Sequence, residues 1–209
     1  MVGLPIGFDF NSPLDSRVVL GRFGCVFCIA VGGVLLMSKE EKIRIGVVLG
    51  SASDVGRVRD LFQILDDFEV RYELAIISAH RTHALLEEYA HSAISRGIEV
   101  IIAAAGLSAA LPGVLASLVD IPVIGIPVSA GTLGGMDALL SIAQMPPGVP
   151  VAAVGIDASR NAGLLALRIL GLNDGDLAEK LRQYKKDMAD DISHKSLNLK
   201  KEGYPIWEI

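Results

Sequence analysis

Residues 43–54 read IRIGVVLGSASD, a mostly aliphatic run that gives way to a turn of small and polar residues. The run from Ile43 to Leu49 predicts a strand that is buried on both faces. Asp54 is a favourable N-cap, and the apolar side chains that follow it recur at helical spacing: Val58, Leu61, Phe62 and Leu65. A buried strand that leads through a short turn into a helix is typical of a parallel α/β sheet.

The same alternation continues along the chain. Further strands are predicted at Val70 to Ile77, Val100 to Ala104, Val123 to Ile126 and Val151 to Val154. Helices are predicted between and after them, at Ala84 to Ser95, Ala109 to Leu118, Met136 to Ala143 and Asn161 to Leu170. Buried strands joined by helical crossovers predict an α/β three-layer sandwich with a parallel sheet, of flavodoxin-like type.

The composition fits one domain and argues against one class of partner. Of the 209 residues, 51% are apolar but only 5% are aromatic, which is typical of a parallel sheet covered by closely packed helices. The 19 basic and 24 acidic side chains give a formal charge of −5. Because the sequence has no basic stripe, nucleic acid is not an expected partner.

Residues 1–42 show no periodic pattern and are predicted to be an extension outside a catalytic domain at residues 43–173. Their uncharged stretch from Gly24 to Met37 is 14 residues long, too short to span a membrane. A signal peptide is the alternative, but no clear cleavage pattern follows the stretch, so a cytoplasmic location is predicted. Cys25 and Cys28 form an isolated C-x-x-C without further ligands, and we interpret both as apolar filler.

Residues 174–209 are predicted to form a C-terminal helix and tail. The helix is expected from Asp176 to Ile192, with a polar tail after it. The tail closes with the apolar cluster Tyr204, Pro205, Ile206 and Trp207. Such a cluster is costly to leave in water, so it is predicted to dock on a neighbouring subunit of a homo-oligomer.

The turn GSASD, residues 50–54, carries the first candidate site residues. In an open parallel sheet, ligands bind beyond the carboxyl ends of the strands, where a helix N-terminus offers free N–H groups to a phosphate. The hydroxyls of Ser51 and Ser53 suit phosphate oxygens, and the Asp54 carboxylate suits ribose hydroxyls or an exocyclic amine. The alternative is an ordinary helix cap, since Ser, Gly and Asp are common at such turns.

A second motif, SAHRT at residues 78–82, follows the second predicted strand and is therefore expected on the same rim. Arg81 offers a bidentate fork for phosphate. Histidine has the unperturbed pKa closest to neutrality, so His80 is suited to moving a proton. A His-Arg pair on a loop is commonly an exposed surface feature without a functional role, but two polar loops on one rim favour a ligand-binding site. His83 and His91 are interpreted as surface or packing residues.

Two further stretches are rich in small residues. AAAGLSAALPG, residues 103–113, allows close approach of backbone and ligand, although tight helix packing explains the composition equally well. Residues 130–148 join a Gly-rich loop to a short helix and a proline turn. The loop is either a lid that excludes water or a plain connection.

These four stretches together resemble the carboxyaminoimidazole ribonucleotide mutases of purine biosynthesis, the family of the catalytic subunit of phosphoribosylaminoimidazole carboxylase. The resemblance runs from about Ile45 to Leu170 and rests on G-S-x-S-D, S-A-H-R-T, L-P-G and S-I-x-Q-M-P in this order. It implies a flavodoxin-like fold, a homo-octamer, and no metal or organic cofactor. It also implies phosphate and ribose binding by the matching residues, with His80 as the proton carrier; the binding residues are Ser51, Ser53, Asp54, Ser78 and Arg81.

Two positions depart from the family pattern. Histidine usually precedes L-P-G where this sequence has Ala110, and proline usually follows S-A-H-R-T where it has His83. The branch that carboxylates aminoimidazole ribonucleotide directly with CO2 is similar at Ser108 and Ala110, but commonly has lysine in place of Arg81. The pyridine-dinucleotide carboxylase of nickel-pincer cofactor synthesis also has alanine before its L-P, but the S-A-H-R-T element argues against that relative.

The resemblance therefore implies carboxyl-group migration on a small ribonucleotide. The carbamate loses CO2 in a closed pocket, the imidazole C4 attacks the CO2, and His80 moves the C4 proton. Because CO2 carries no charge, the pocket walls must confine it, and the small apolar residues from Gly106 to Leu111 suit that task. The alternatives are direct carboxylation by CO2 and a nucleotide-binding relative without catalysis, in which chemistry was lost with the histidine absent at Ala110.

Overall fold

The strands form one parallel sheet with the order β2-β1-β3-β4-β5. In the computed structural model, which describes residues 42–207, the strands are β1 Ile45–Leu49, β2 Tyr72–Ile76, β3 Val100–Gly106, β4 Val123–Val128 and β5 Ala152–Ala153. Ile45 pairs with both Tyr72 and Val100, so β1 is an inner strand. The chain order changes direction across β1 and β3, which places a ligand crevice above their carboxyl ends.

Helices cover both faces of the sheet. They are α1 Arg59–Asp67, α2 His83–Ala93, α3 Leu111–Leu118, α4 Met136–Ala143, α5 Ser159–Leu170 and α6 Gly175–Lys201. One buried cluster joins the sheet to α1, α5 and the start of α6. A second cluster joins the opposite face to α2, α3 and α4. These layers confirm the predicted three-layer, flavodoxin-like α/β sandwich.

Alternate residues of β1 enter opposite layers. Val47 and Leu49 are fully buried on the α1 and α5 face, whereas Val48 is fully buried on the other face. An aliphatic run without alternation is what a strand covered on both sides requires. The aliphatic run of residues 43–49 therefore correctly predicts a strand that is buried on both faces.

Two predicted helix boundaries are wrong. The first helix begins at Arg59, not near Asp54, because residues Ala52–Gly56 form a 3-10 turn in which the N–H of Arg57 donates to the Asp54 carbonyl at 2.9 Å. Asp54 is therefore inside the turn and does not cap α1. The last helix runs to Lys201, beyond the predicted end at Ile192, and the i,i+4 pair of Asp191 with Lys195, 2.6 Å apart, supports this exposed continuation.

Strand and helix bounds otherwise differ from the predicted ones by a few residues, and α4 matches at both ends. The N-terminal stretch from Gly24 to Met37, with Cys25 and Cys28, lies outside the described residues. Within residues 42–207, none of the helices combines the length and apolar character needed to cross a membrane.

Candidate active site

A pocket of about 940 Å³ lies beyond the carboxyl ends of β1 to β4. Its lining comes from four loops, one after each of these strands, as expected for a parallel sheet. All six site residues predicted from the sequence line it: Ser51, Ser53, Asp54, Ser78, His80 and Arg81. The structure thus brings the two predicted polar loops together in one site.

The loop after β1 is held by its own serines. The N–H of Ser53 donates to the Ser51 hydroxyl at 3.3 Å, and the two hydroxyl oxygens lie 2.8 Å apart. The N–H of Gly50 donates to the carbonyl of Ala104 at 3.0 Å, which fixes the loop against the end of β3. Both hydroxyls therefore face the pocket from a defined backbone.

Burial raises the pKa of the Asp54 carboxyl, although the hydrogen bonds from Ser53 and the Ser51 backbone and the charge of Arg57 act in the opposite direction. The Ser53 hydroxyl is a distant donor, at 3.4 Å from Asp54 Oδ1. The half-buried carboxylate is thus only partly compensated by the protein. It is able to accept further hydrogen bonds from hydroxyl or amine groups of a ligand.

The loop after β2 is closed by Thr82. The Thr82 hydroxyl donates to the Ser78 carbonyl at 3.0 Å and accepts from the Ser78 N–H at 3.0 Å. Arg81 Nε donates to the Ser78 hydroxyl at 3.3 Å. This arrangement presents the exposed side chains of His80 and Arg81 at the pocket rim.

The part of the lining that comes from the end of β3 and the loop after it is mostly apolar. This wall contains Ala105, Gly106, Leu107, Ala110 and Leu111, together with the polar Ser108. Leu107 has a φ of 56°, a left-handed conformation that is uncommon for leucine, and 54% of the residue is exposed. Ala110 contributes only a methyl group to this wall.

Some predicted stretches do not reach the pocket. Of the Gly-rich loop and proline turn, Ala130 lines the pocket, whereas residues 131–148 do not. His83 pairs with Glu87 at 3.4 Å on the surface of α2, and His91 is exposed on the same helix. Both histidines therefore lie outside the site, as expected.

Three polar residues at the site were not predicted from the sequence. Arg57 and Ser129 line the pocket, and Arg57 Nη1 donates to the Ser129 hydroxyl at 2.8 Å. Asp157 lies behind them and accepts from the backbone N–H of Ser129 at 2.9 Å. Ser129 directly follows β4, as Ser78 follows β2, so its position at a strand end was a usable signal. Asp157 lies three residues beyond the predicted strand end at Val154, so the same signal applies to it.

The family model described as AIR carboxylase matches residues 44–191. The chain belongs to the AIR carboxylase family. This confirms the family predicted from the four sequence motifs, and the matched span contains the whole pocket.

Relatives within the AIR carboxylase family carry two different names. The N5-carboxyaminoimidazole ribonucleotide mutase of Pyrococcus horikoshii is 50% identical over 171 residues, which cover 82% of this chain and 97% of that protein. The phosphoribosylaminoimidazole carboxylase of Candida glabrata is 44% identical over 171 residues but is covered over only 30% of its length. The crystal structure of Treponema denticola PurE matches with a TM-score of 0.66 and 32% identity, covering 75% of this chain and 98% of that chain.

Proposed function

We propose that this chain is an N5-carboxyaminoimidazole ribonucleotide mutase, an isomerase that moves a carboxyl group from the exocyclic nitrogen to C4 of the imidazole in purine biosynthesis. The observation that carries the proposal is the match to the Pyrococcus mutase, 50% identical over 97% of that protein. The pocket supports it, because it combines groups suited to phosphate with an exposed histidine and a mostly apolar wall.

The substrate's phosphate is assigned to the hydroxyls and guanidinium on the two polar loops. Arg81 supplies a charged fork, and the serines supply neutral donors: Ser51, Ser53 and Ser78. Asp54 accepts from ribose hydroxyls or from the exocyclic amine. The roles are assigned by charge, because a carboxylate repels phosphate but accepts hydrogen bonds from hydroxyl and amine donors.

The reaction adds one proton to the exocyclic nitrogen and removes one from C4, and a single histidine is able to carry out both transfers. When the carbamate C–N bond breaks, CO2 is released and the nitrogen takes up a proton, which we assign His80 to donate. When C4 attacks the CO2, a C–C bond forms and C4 loses its proton. We assign the C4 proton to His80, which is the only histidine lining the pocket in the described part of the chain. No metal or organic cofactor is required by these steps.

The apolar wall suits the intermediate. Carbon dioxide has no charge and is held by steric confinement alone, so side chains such as Leu107, Ala110 and Leu111 must keep it near C4. The left-handed Leu107 turns the chain at this wall. The mutase assignment requires that CO2 reacts before it leaves.

A second candidate is direct carboxylation of aminoimidazole ribonucleotide by CO2. The observation in its favour is Ala110, which lines the pocket where histidine is usual in the mutase pattern. The carboxylase of Candida glabrata is a longer protein, of which this chain spans 30%. A third candidate is a nucleotide-binding protein without catalysis, and the pocket argues against it by retaining Asp54, His80 and Arg81 together.

Substrate requirement separates these candidates. The purified chain is mixed either with N5-carboxyaminoimidazole ribonucleotide or with aminoimidazole ribonucleotide plus bicarbonate, and ultraviolet absorbance follows the C4-carboxylated product. A mutase forms product from the carbamate without added bicarbonate. Product from the second mixture alone supports the carboxylase. Binding of the ribonucleotides without product in either mixture supports the non-catalytic protein.

The same proposal includes a homo-oligomer, an octamer by family resemblance, in the cytoplasm. Exposed apolar side chains on the C-terminal segment support subunit contacts, with Tyr204 59% and Trp207 80% exposed. We retain the division into an extension at 1–42, a catalytic domain at 43–173 and a C-terminal segment at 174–209. Sedimentation of the full chain tests the assembly.

A further inference from the structure

Arg57 lines the pocket, yet the proposed chemistry leaves it without a role. Its side chain is 54% exposed, and only Nη1 is engaged, at 2.8 Å from the Ser129 hydroxyl and 3.5 Å from Asp157 Oδ2. Among residues 42–207, no hydrogen-bond partner occupies Arg57 Nε or Nη2. One side of the guanidinium is thus anchored, and the other keeps its donors available to a ligand.

Asp157 holds this anchor in place. Its Oδ1 accepts from the Ser129 N–H at 2.9 Å, and its Oδ2 accepts from the Ser129 hydroxyl. Asp157 has a φ of 55°, and its own N–H donates to the Pro127 carbonyl at 2.9 Å. The carboxylate therefore fixes the exit of β4 and, through Ser129, the position of Arg57.

The backbone beyond Ser129 reinforces this geometry. Gly135 has a φ of 92°, and a Cβ added there would lie 3.0 Å from Ser129 Cα and 2.9 Å from Ile156 Cγ2. The loops after β4 and β5 therefore pack directly on each other at Ser129. A guanidinium anchored to this junction has less conformational freedom to lose when it binds a ligand.

We propose that Arg57 is a substrate-binding residue that donates to an anionic group of the ribonucleotide, and that Asp157 is its positioning residue. The inference rests on the proposed function. That substrate carries two anionic groups, a phosphate and a carboxylate, whereas Arg81 provides one fork. Arg57 is the second arginine of the pocket lining, and it comes from a different part of the rim.

A purely structural tie between loops would have a different signature. It would change the stability of the fold and weaken all ligands by the same factor. An anion contact weakens only the ligands that carry the anion. Substitution of Asp157 by glycine separates the two roles further, because glycine accepts a positive φ without strain while the carboxylate is lost.

The test measures binding by isothermal titration calorimetry to three ligands: the C4-carboxylated aminoimidazole ribonucleotide, its riboside without phosphate, and aminoimidazole ribonucleotide without the carboxyl group. Arg57→Gln should weaken binding about tenfold or more for the ligands that carry the contacted anion. If that anion is the phosphate, the riboside is unaffected. If it is the carboxylate, aminoimidazole ribonucleotide is unaffected. Arg59→Gln, an exposed α1 arginine outside the pocket lining, is the matched control and should bind like the wild type.

The positioning role is tested with Asp157→Asn, Asp157→Gly and the double variant Arg57→Gln/Asp157→Asn. Each Asp157 variant should weaken the same ligands several-fold, and the double variant should bind no worse than Arg57→Gln alone, because Asp157 acts through Arg57. Arg57→Lys should recover part of the loss, since it restores charge without the fork.

Equal binding of all three ligands by Arg57→Gln and the wild type would overturn the inference and leave the proposed function intact. A uniform loss for all three ligands, with a lowered melting temperature, would also overturn it in favour of a structural tie. A wild-type protein that binds neither ribonucleotide would overturn the proposed function, and this inference would fall with it.

Discussion

The hydroxyl oxygens of Ser51 and Ser53 lie 2.8 Å apart, directly beyond the carboxyl end of β1. Asp54 follows them in the same 3-10 turn, and burial raises the pKa of its carboxyl. The turn thus combines two neutral donors with a carboxylate whose ionised form is disfavoured by the fold. If Asp54 binds a ligand as proposed, it does so at some expense of stability.

Asp54→Asn should therefore stabilise the fold at neutral pH. A folded-state pKa above the unfolded value of about 3.9 means that the wild type is penalised once the carboxyl ionises, and the penalty grows as the pH rises through the folded pKa. The gain in the variant should be below about 1 kcal/mol, since solvent screens this half-exposed group. Thermal melts from pH 4 to pH 7 measure it.

The control for Asp54 is Asp60→Asn, which changes an exposed carboxylate in the first turn of α1. An acidic group at that position interacts favourably with the helix dipole, so its removal should not stabilise the protein. Asp54→Asn should also weaken ribonucleotide binding. The assigned cause is the burial of the ionised Asp54 carboxyl. It would be refuted if the stability of Asp54→Asn, measured relative to the wild type, were lower at pH 7 than at pH 4.

His80→Asn should lower kcat by about 10²- to 10⁴-fold while ribonucleotide affinity stays close to that of the wild type. Asparagine keeps a polar side chain at the rim but is unable to carry a proton. His83→Asn is the matched control, because His83 lies on α2 outside the pocket and should be dispensable. Near-normal turnover of His80→Asn would remove His80 from the proposed role.

Arg81→Ala should weaken binding of the ribonucleotide by about 2 kcal/mol. The unphosphorylated riboside should bind the variant and the wild type equally, because the lost contact is to phosphate. Titration calorimetry with both ligands measures the difference. Equal losses for the two ligands would show that Arg81 is not a phosphate anchor.

The sequence predicts the fold well where residues respond to local rules. The aliphatic run in β1 and the α4 boundaries, Met136 to Ala143, follow from periodicity and burial on both faces. The start of α1 does not, because Ser51 binds back to the Ser53 N–H and favours a 3-10 turn that looks like a helix cap in sequence. Local hydrogen bonds of serine compete with helix formation.

The residues of the candidate site likewise fall into two groups, those that local sequence patterns predict and those that they do not. Ser78 and Arg81 are predictable because both lie in the motif SAHRT, which begins two residues after the end of β2. The contact of Arg57 with Ser129 and Asp157 is not, since these residues come from three loops that meet only in the folded sheet. Long-range pairing therefore sets the part of the site that sequence patterns miss.

A chain that begins at Met37 should fold and turn over like the full-length protein. The sheet starts at Ile45, and the family match starts at residue 44, so the described core needs no earlier residue for its strands. Circular dichroism, sedimentation and the absorbance assay compare the two chains. Loss of assembly or activity in the shorter chain would show that the extension contributes to the enzyme.

An isotope-labelling experiment that follows the carboxyl carbon from substrate to product tests the mutase assignment most directly. N5-carboxyaminoimidazole ribonucleotide labelled with ¹³C at the carbamate carbon is incubated with the enzyme in unlabelled bicarbonate, and mass spectrometry measures the label in the product at short reaction times. A mutase confines the released CO2 beside C4, so the label should be retained in the C4 carboxylate, and the rate should not depend on bicarbonate. Product that takes its carboxyl carbon from bicarbonate, formed from aminoimidazole ribonucleotide and not from the carbamate, would contradict the assignment.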